Sequence, residues 1–514
     1  MNHSRERFRL ARLAMAVGGL ERVVSTVVGA ARIPLLVWGL SSRDYGLYVT
    51  ILGVVATAAL TDFGLSLGVV NAVSKAHGEG APGRAREVAA TGFVIYTVIT
   101  AASLVATGFF AWLAPLPTLL GVAPDQGRLA RTLATLGFVG ILLPMPLRVV
   151  PAVMVGTQQQ HVPALFRTIL MPVQMGLLAF VLVAWRGALV PVAIVGAVFE
   201  PVAWLSFALW AAVYQPGAAI HLRAASTRYV RVLLGSGLLF FMTNVASLFK
   251  RTVPIVVISR ALTPEGVPPF SVPMALFAIG ISASDVVAVS LWPAYGEAAA
   301  RGDWPWVERA FRAGSKAALT IAVLVAALGL LVGADVVAIV ASKISMPPRG
   351  VFAWLALWLL TQALTSIASF PLAAMGRNRL VMWMSLGEGA LTVFATSVLV
   401  RPYGVQGVAF AMTVSGATSA IFLSAYAVPR ATQGRLRVDI ATYARLALCG
   451  LATTGAMWPV ARALAAYSPL ARVLGVTGPT LICYGGLAWA FVATALERER
   501  LRQWCTLRLA RART

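Results

Sequence analysis

The sequence predicts an all-α polytopic membrane protein with about fourteen transmembrane helices. Three observations predict it. The chain is 59% hydrophobic and 12% charged, with a mean hydropathy of +0.82, whereas a soluble globular chain is roughly a quarter charged. Its 514 residues include too few charges to cover a water-soluble core of that size. Apolar runs of membrane-spanning length recur between charged or Pro/Gly-rich breaks.

Taken in order, the apolar runs place helices at 12–39, 47–74, 88–114, 132–156, 162–184, 188–213, 230–258, 270–296, 314–340, 351–375, 380–400, 404–428, 441–461 and 474–496. The first is too long for the apolar region of a signal peptide and carries Arg22 inside it. The polar connector KAHGEGAPGRARE separates the second helix from the third. EAAARGDWPWVERAFR separates the eighth from the ninth, and its Trp304 and Trp306 suit an interfacial segment. With the N-terminus inside, inner connectors and termini hold 26 of the 42 Lys and Arg residues and outer loops hold 10. That asymmetry predicts an even helix count with both termini cytoplasmic. It also accounts for most of the net charge of +24, as a topology signal and an attraction to anionic lipid headgroups. No soluble basic domain is present for nucleic acid.

Soluble chemistry finds little support. Cys449, Cys483 and Cys505 lack metal spacing, and no zinc pattern links the four histidines. No GxxxxGK[ST] loop makes the chain its own ATPase, and no Ser/His/Asp arrangement suggests catalysis. No catalytic residue, metal or resident cofactor is expected.

The chain repeats weakly at a period of about 220 residues. RIPLLVWGLSSRDYGLY from Arg32 corresponds to RTVPIVVISRALTPEGV from Arg251, and TDFGLSLGVVNAVSKA to SDVVAVSLWPAYGEA, which sets Asp62 opposite Asp285. Each unit holds six helices, so both enter from the same side as parallel repeats. The expected organisation is a first lobe over 1–220, a second over 221–433, and two further helices with a basic tail over 434–514.

Six cations remain inside predicted helices: Arg22, Arg32, Arg148, Arg167, Lys250 and Arg251. An arginine at the centre of a bilayer costs about 2.5–3.5 kcal/mol on insertion scales, so such residues are where function is sought. Gly18, Arg22, Ser25, Gly29 and Arg32 fall within about 80° of arc on helix 1. Gly237, Asn244, Ser247 and Arg251 share a face of helix 7. Pro144, Pro146 and Pro151 bracket Arg148 and predict a kinked cavity wall. Helix packing also accounts for small-residue stripes. Arg32, Arg167, Lys250 and Arg251 lie near enough to helix ends to snorkel; Arg22 does not. Glu21, Asp62, Glu200, Asp285, Asp335 and Glu388 are the carboxylates inside or at the ends of helices. Ion pairing is the ordinary role for Asp62 and Glu388, and a coupling site for H⁺ or Na⁺ is the alternative.

The order IPLL…GLSSRDYGLYVTILGVVATAALTDFGLSLGVVNAVSKAHGEG resembles the start of bacterial polysaccharide-export flippases. These are the O-antigen/exopolysaccharide branch of the multidrug/oligosaccharidyl-lipid/polysaccharide exporter superfamily. Arg22 and Arg32, Tyr45-Gly46-Leu47, Asp62-Phe63-Gly64 and Asn71 carry the resemblance, which is sharpest over residues 8–90. It implies alternating access in the bacterial inner membrane, moving undecaprenyl-diphosphate-linked oligosaccharide to the outer leaflet. Membrane lipids are the expected surroundings, a polysaccharide polymerase and a chain-length regulator are the implied partners, and a monomer is the implied state. Arg22, Arg32, Arg148 and Arg251, with Ser25 and Asn244, would then hold the diphosphate, because arginine offers forked donors to phosphate oxygens. Rival readings are a lipid II flippase of peptidoglycan synthesis and a cation-coupled multidrug antiporter. A polymerase would need a larger outer loop than 115–131.

Overall fold

The computed structural model describes residues 2–493 apart from 114–123, 158, 186–187, 216, 218, 301 and 343. The basic tail from 494 and most of the 115–131 loop therefore lie outside the described residues. Among those described, the secondary structure is helical, with no strand.

Each of the fourteen predicted positions is helical. Among the described residues ten stretches are long and apolar enough to cross a membrane, and one of them, Asn378–Ala431, holds two predicted positions; the predicted positions 12–39, 230–258 and 441–461 are helical but are not among the ten. The elements are α1 (Asn2–Gly39), α2 (Ser42–Val55), α3 (Leu65–Gly78), α4 (Pro82–Leu113), α5 (Gly127–Leu142), α6 (Val149–Gly156), α7 (His161–Ala184) and α8 (Leu189–Tyr214). There follow α9 (Val230–Leu262), α10 (Pro268–Ala300), α11 (Trp304–Val340), α12 (Arg349–Ala374), α13 (Asn378–Phe422), α14 (Val428–Ala431), α15 (Ile440–Ala463) and α16 (Pro469–Phe491). Three helices, α2, α15 and α16, carry side-chain N-caps: Ser41 accepts from the Asp44 amide at 3.1 Å, Asp439 from Thr442 at 3.1 Å and Ser468 from Ala471 at 3.3 Å.

Three positions depart from straight helix. The predicted helix 47–74 is broken. After Val55 the backbone tightens to a 3-10 turn over Ala56–Asp62, then passes through left-handed Phe63 (φ 45°) and Gly64 (φ 70°) before α3. Thr57 and Thr61 hydroxyls bond back to the carbonyls of Val54 and Ala58 at 2.6 and 2.7 Å and support the tightened turn. Gly64 adopts positive φ without steric penalty; Phe63 does not, and its ring stacks on Phe241 at 4.8 Å. Predicted helix 132–156 divides at Pro144 and Pro146, and a 3-10 turn over Pro146–Arg148 joins α5 to α6. The two predicted helices 380–400 and 404–428 run as one, kinked at Gly404 (φ 56°) and continued through a π-helical turn at Leu423–Ala427.

Packing divides the chain into two compact units. The first comprises Met1–Ser271, Ala341–Ser345 and Met382–Val408; the second comprises Val272–Val340, Met346–Val381 and Ala409–Thr514. In the first, α1 lies along α7, α5 along α8, and α9 against α2 and α3. Corresponding segments of the two sequence repeats meet here. Arg43 pairs with Glu265 at 3.3 Å, and Gly46 packs on the Pro264 carbonyl so closely that a Cβ would collide with it. That contact is a physical reason for glycine in Tyr45-Gly46-Leu47. In the second unit α15 and α16 pack on α11 around Leu331, Val332, Ala461 and Val476. A part-buried Arg472–Asp335 pair at 2.7 Å and the Tyr484 hydroxyl, which donates to the Thr320 carbonyl at 3.1 Å, fasten these helices.

Candidate functional site

The six membrane-depth cations occupy four kinds of environment. Arg22, Ser25 and Gly29 form an exposed row on α1. The Arg22 guanidinium has no ion pair or side-chain hydrogen bond among the described residues, and its own carbonyl accepts from the Thr26 hydroxyl at 2.8 Å. Two turns on, Arg32 is half-buried and donates from Nη2 to the Tyr48 hydroxyl at 2.9 Å. On α9, Asn244, Ser247 and Arg251 are likewise exposed; the surroundings of Gly237, and of Asn71 on α3, lie outside what is described. Lys250, adjacent in sequence to Arg251, turns the other way. Its Nζ lies 3.3 Å from Glu388 Oε2 on α13, and the Glu388 side chain is only 2% exposed. The two neighbouring cations thus have opposite fates: one is neutralised in the protein and the other is presented outward.

Arg148 stands apart from the α1 row. The proline-bracketed turn aims it into a cavity of about 870 Å³ within the first unit, walled by α1, α3 and α5 to α8. Arg22, Arg32 and Arg251 do not line this cavity. Arg167 does, and its Nε lies 3.3 Å from Glu21 Oε1. Glu200 also lines it and accepts from Trp204 Nε1 at 3.1 Å. Spacing on single helices singled out Arg148 but grouped it with Arg22. The signal for the other members was a charge inside an apolar run, at Glu21, Arg167 and Glu200; which helix faces which was not visible.

Asp62 lies at the break before Gly64. The Tyr96 hydroxyl donates to Asp62 Oδ1. Ser66 Oγ lies 3.2 Å from the same oxygen and 2.8 Å from the Tyr96 hydroxyl. No ion pair of Asp62 occurs among the described residues. Ser66 also borders the cavity that holds Arg148, so the carboxylate is one hydroxyl removed from it. Asp285, its counterpart in the repeat, lies within unbroken α10. Among the described residues no group of three or more His, Cys, Asp or Glu is placed to hold a metal.

No family model matches the sequence, and no curated protein matches it. Solved structures do match the fold. The lipid II flippase MurJ in an inward closed conformation superposes with a TM-score of 0.75 at 12% identity, over 93% of this chain and 98% of that one. An inward-facing multidrug resistance MATE transporter gives 0.68 at 16%, over 83% and 99%. A superfamily transporter from Pyrococcus furiosus, described as having a binding pocket of reverse polarity, gives 0.60 at 16%, over 84% and 96%. At these identities the likeness establishes the fold alone, an all-helical arrangement that this chain shares with those transporter structures.

Proposed function

We propose that the chain is a flippase that moves undecaprenyl-diphosphate-linked oligosaccharide across the bacterial inner membrane by alternating access, for surface polysaccharide synthesis. The observation that carries this is Arg22, a cation midway along α1, which this reading sets in the membrane; it is exposed and has no ion pair or side-chain hydrogen bond among the described residues. A charge left in that state is costly unless a ligand or water-filled cavity compensates it. A diphosphate cannot cross hydrocarbon uncompensated either, and forked guanidinium donors match its oxygens. Arg22 and Ser25 on α1, with Asn244 and Arg251 on α9, supply the donors; Arg32 extends the row. The lipid tail stays in the bilayer. Both termini are cytoplasmic in this reading, the 1–220 and 221–433 repeats act as the two lobes, and a polymerase with its chain-length regulator receives the product. H⁺ or Na⁺ drives the cycle through Asp62, whose hydroxyl partners leave it free of an opposing cation.

The test is translocation of lipid-linked oligosaccharide at matched expression. Arg22→Ala is expected to lower flux about ten- to a hundredfold, the loss of a charged hydrogen bond of about 1.5–3 kcal/mol. Arg22→Lys is expected to recover only part of it, because the ammonium keeps charge and loses the fork. Undiminished flux in Arg22→Ala overturns the reading.

The likeness to MurJ favours a second reading, a lipid II flippase, which shares the diphosphate chemistry. Peptidoglycan genes beside this one would support it, and glycosyltransferase genes would support surface polysaccharide. A multidrug antiporter for cations fits poorly with an exposed cationic row.

A further inference from the structure

We infer that the cavity inside the first unit is a subsite for the uncharged sugar portion of the cargo, separate from the arginine row that takes the diphosphate; this rests on the lipid-linked-saccharide reading above. Charge balance separates the two places. Arg22 on α1 and Arg251 on α9 are each exposed, with no carboxylate paired to either among the described residues. The cavity instead holds two arginines and two glutamates, Arg148, Arg167, Glu21 and Glu200. A diphosphate entering it would meet as many anions as cations, and like charges brought together across an interface cost binding energy.

Its polar groups suit a polyhydroxylated ligand. Guanidinium and carboxylate groups donate and accept in pairs, and Gln174 adds an amide that does both. Trp204 supplies an apolar body whose N–H is already committed to Glu200. It is held against Phe166 at 6.2 Å and Phe207 at 5.9 Å, so the ring is a fixed platform. A volume of about 870 Å³ falls within the 300–1,000 Å³ typical of small-molecule sites, where a few polar groups set orientation on an apolar wall. Arg148 and Gln174 make no side-chain hydrogen bond among the described residues, so a hydrophobic drug would bury them unpaired, whereas sugar hydroxyls pair with them.

The test uses the full chain in lipid nanodiscs and two probes. One is the undecaprenyl-diphosphate-linked saccharide fraction extracted from cells that naturally express the protein; the other is bare undecaprenyl diphosphate. Gln174→Leu and Trp204→Leu are each expected to weaken the sugar-bearing lipid about tenfold, as removal of a pocket anchor does, and to leave the bare lipid unchanged. Arg22→Ala is expected to weaken both alike. Sugar-bearing lipid binding no tighter than bare lipid in the wild type overturns the subsite. So does an equal effect of Gln174→Leu on both probes, or no effect on either, in protein whose unfolding temperature and size-exclusion profile match wild type. If Arg22→Ala changes neither probe while Gln174→Leu discriminates between them, the diphosphate assignment fails and the sugar subsite stands.

Discussion

Two carboxylates sit at membrane depth in the first unit, and they are held in opposite ways. Glu388 is buried and faces the Lys250 ammonium at 3.3 Å. Asp62 is half-buried at a helix break and faces hydroxyls, those of Tyr96 and Ser66. A carboxylate paired with a cation cannot take up a proton or metal cation without stranding its partner. A carboxylate held by hydroxyls can exchange one while its hydrogen bonds rearrange. The sequence pattern presents the two alike; their surroundings differ, and under the proposed function the difference favours Asp62 over Glu388 as the coupling site.

The largest expected effect breaks the pair. Lys250→Ala leaves Glu388 buried without its cation, and the purified protein is expected to lose about 3–5 kcal/mol of unfolding stability. The double variant Lys250→Met/Glu388→Leu is expected to recover most of that, since apolar replacement of a buried pair is often neutral or better. A Lys250→Ala protein as stable as wild type would remove the contrast with Asp62.

Next in size is the Asp62 cluster. Asp62→Ala removes the charged acceptor of the Tyr96 hydroxyl, which keeps only Ser66 Oγ as a partner, at about 1.5–3 kcal/mol. Asp62→Asn keeps an acceptor and removes the charge. Its expected signature is near-normal stability with transport no longer responsive to H⁺ or Na⁺ gradients, measured by flux in proteoliposomes with each gradient collapsed in turn. Gradient-dependent flux in Asp62→Asn would return Asp62 to a structural role. The break itself tests more gently. Gly64→Ala places a Cβ at φ 70° and is expected to cost about 1–2 kcal/mol. As a control, Gly280→Ala in α10 meets no positive φ but the Val325 side chain at 2.6 Å and Leu359 at 3.2 Å, so any loss there reports packing.

Fourteen helix positions were legible because apolar length is a one-dimensional property. The break at 56–64 was not. Residues 47–74 are apolar throughout, and only Asp62-Phe63-Gly64, a carboxylate beside a glycine, marks where backbone groups need other partners. The six membrane cations were legible as charges in hydrocarbon. Their sorting was not: Lys250 and Arg251 are adjacent in sequence and differ only in which helix lies opposite. Arg148 and Arg167 are likewise separate in every periodicity yet share one cavity, because α7 returns past the kink between α5 and α6.

The smallest expected effect uses a third carboxylate, outside the spans, as the reference for the other two. Asp439 caps α15, accepting from the Thr442 amide at 3.1 Å and hydroxyl at 2.8 Å. The Thr442 hydroxyl and then its amide hold the carboxyl below its ordinary value, with help from Arg312 and Arg445 against a small opposing effect of burial. A group whose folded value is depressed contributes stability that is full above its unfolded value, about 3.9, and is lost as pH falls through the folded one. Asp439→Ala is therefore expected to cost about 1 kcal/mol near neutral pH, and the difference from wild type is expected to shrink as pH drops below about 4. Asp439→Asn retains a cap oxygen and loses the titration, so it is expected to lie near wild type in acid and slightly below it at neutral pH. Unfolding temperatures of the three proteins from pH 7 to 3 check this. Parallel curves for wild type and Asp439→Ala would show that this cap carries no charge-dependent stability.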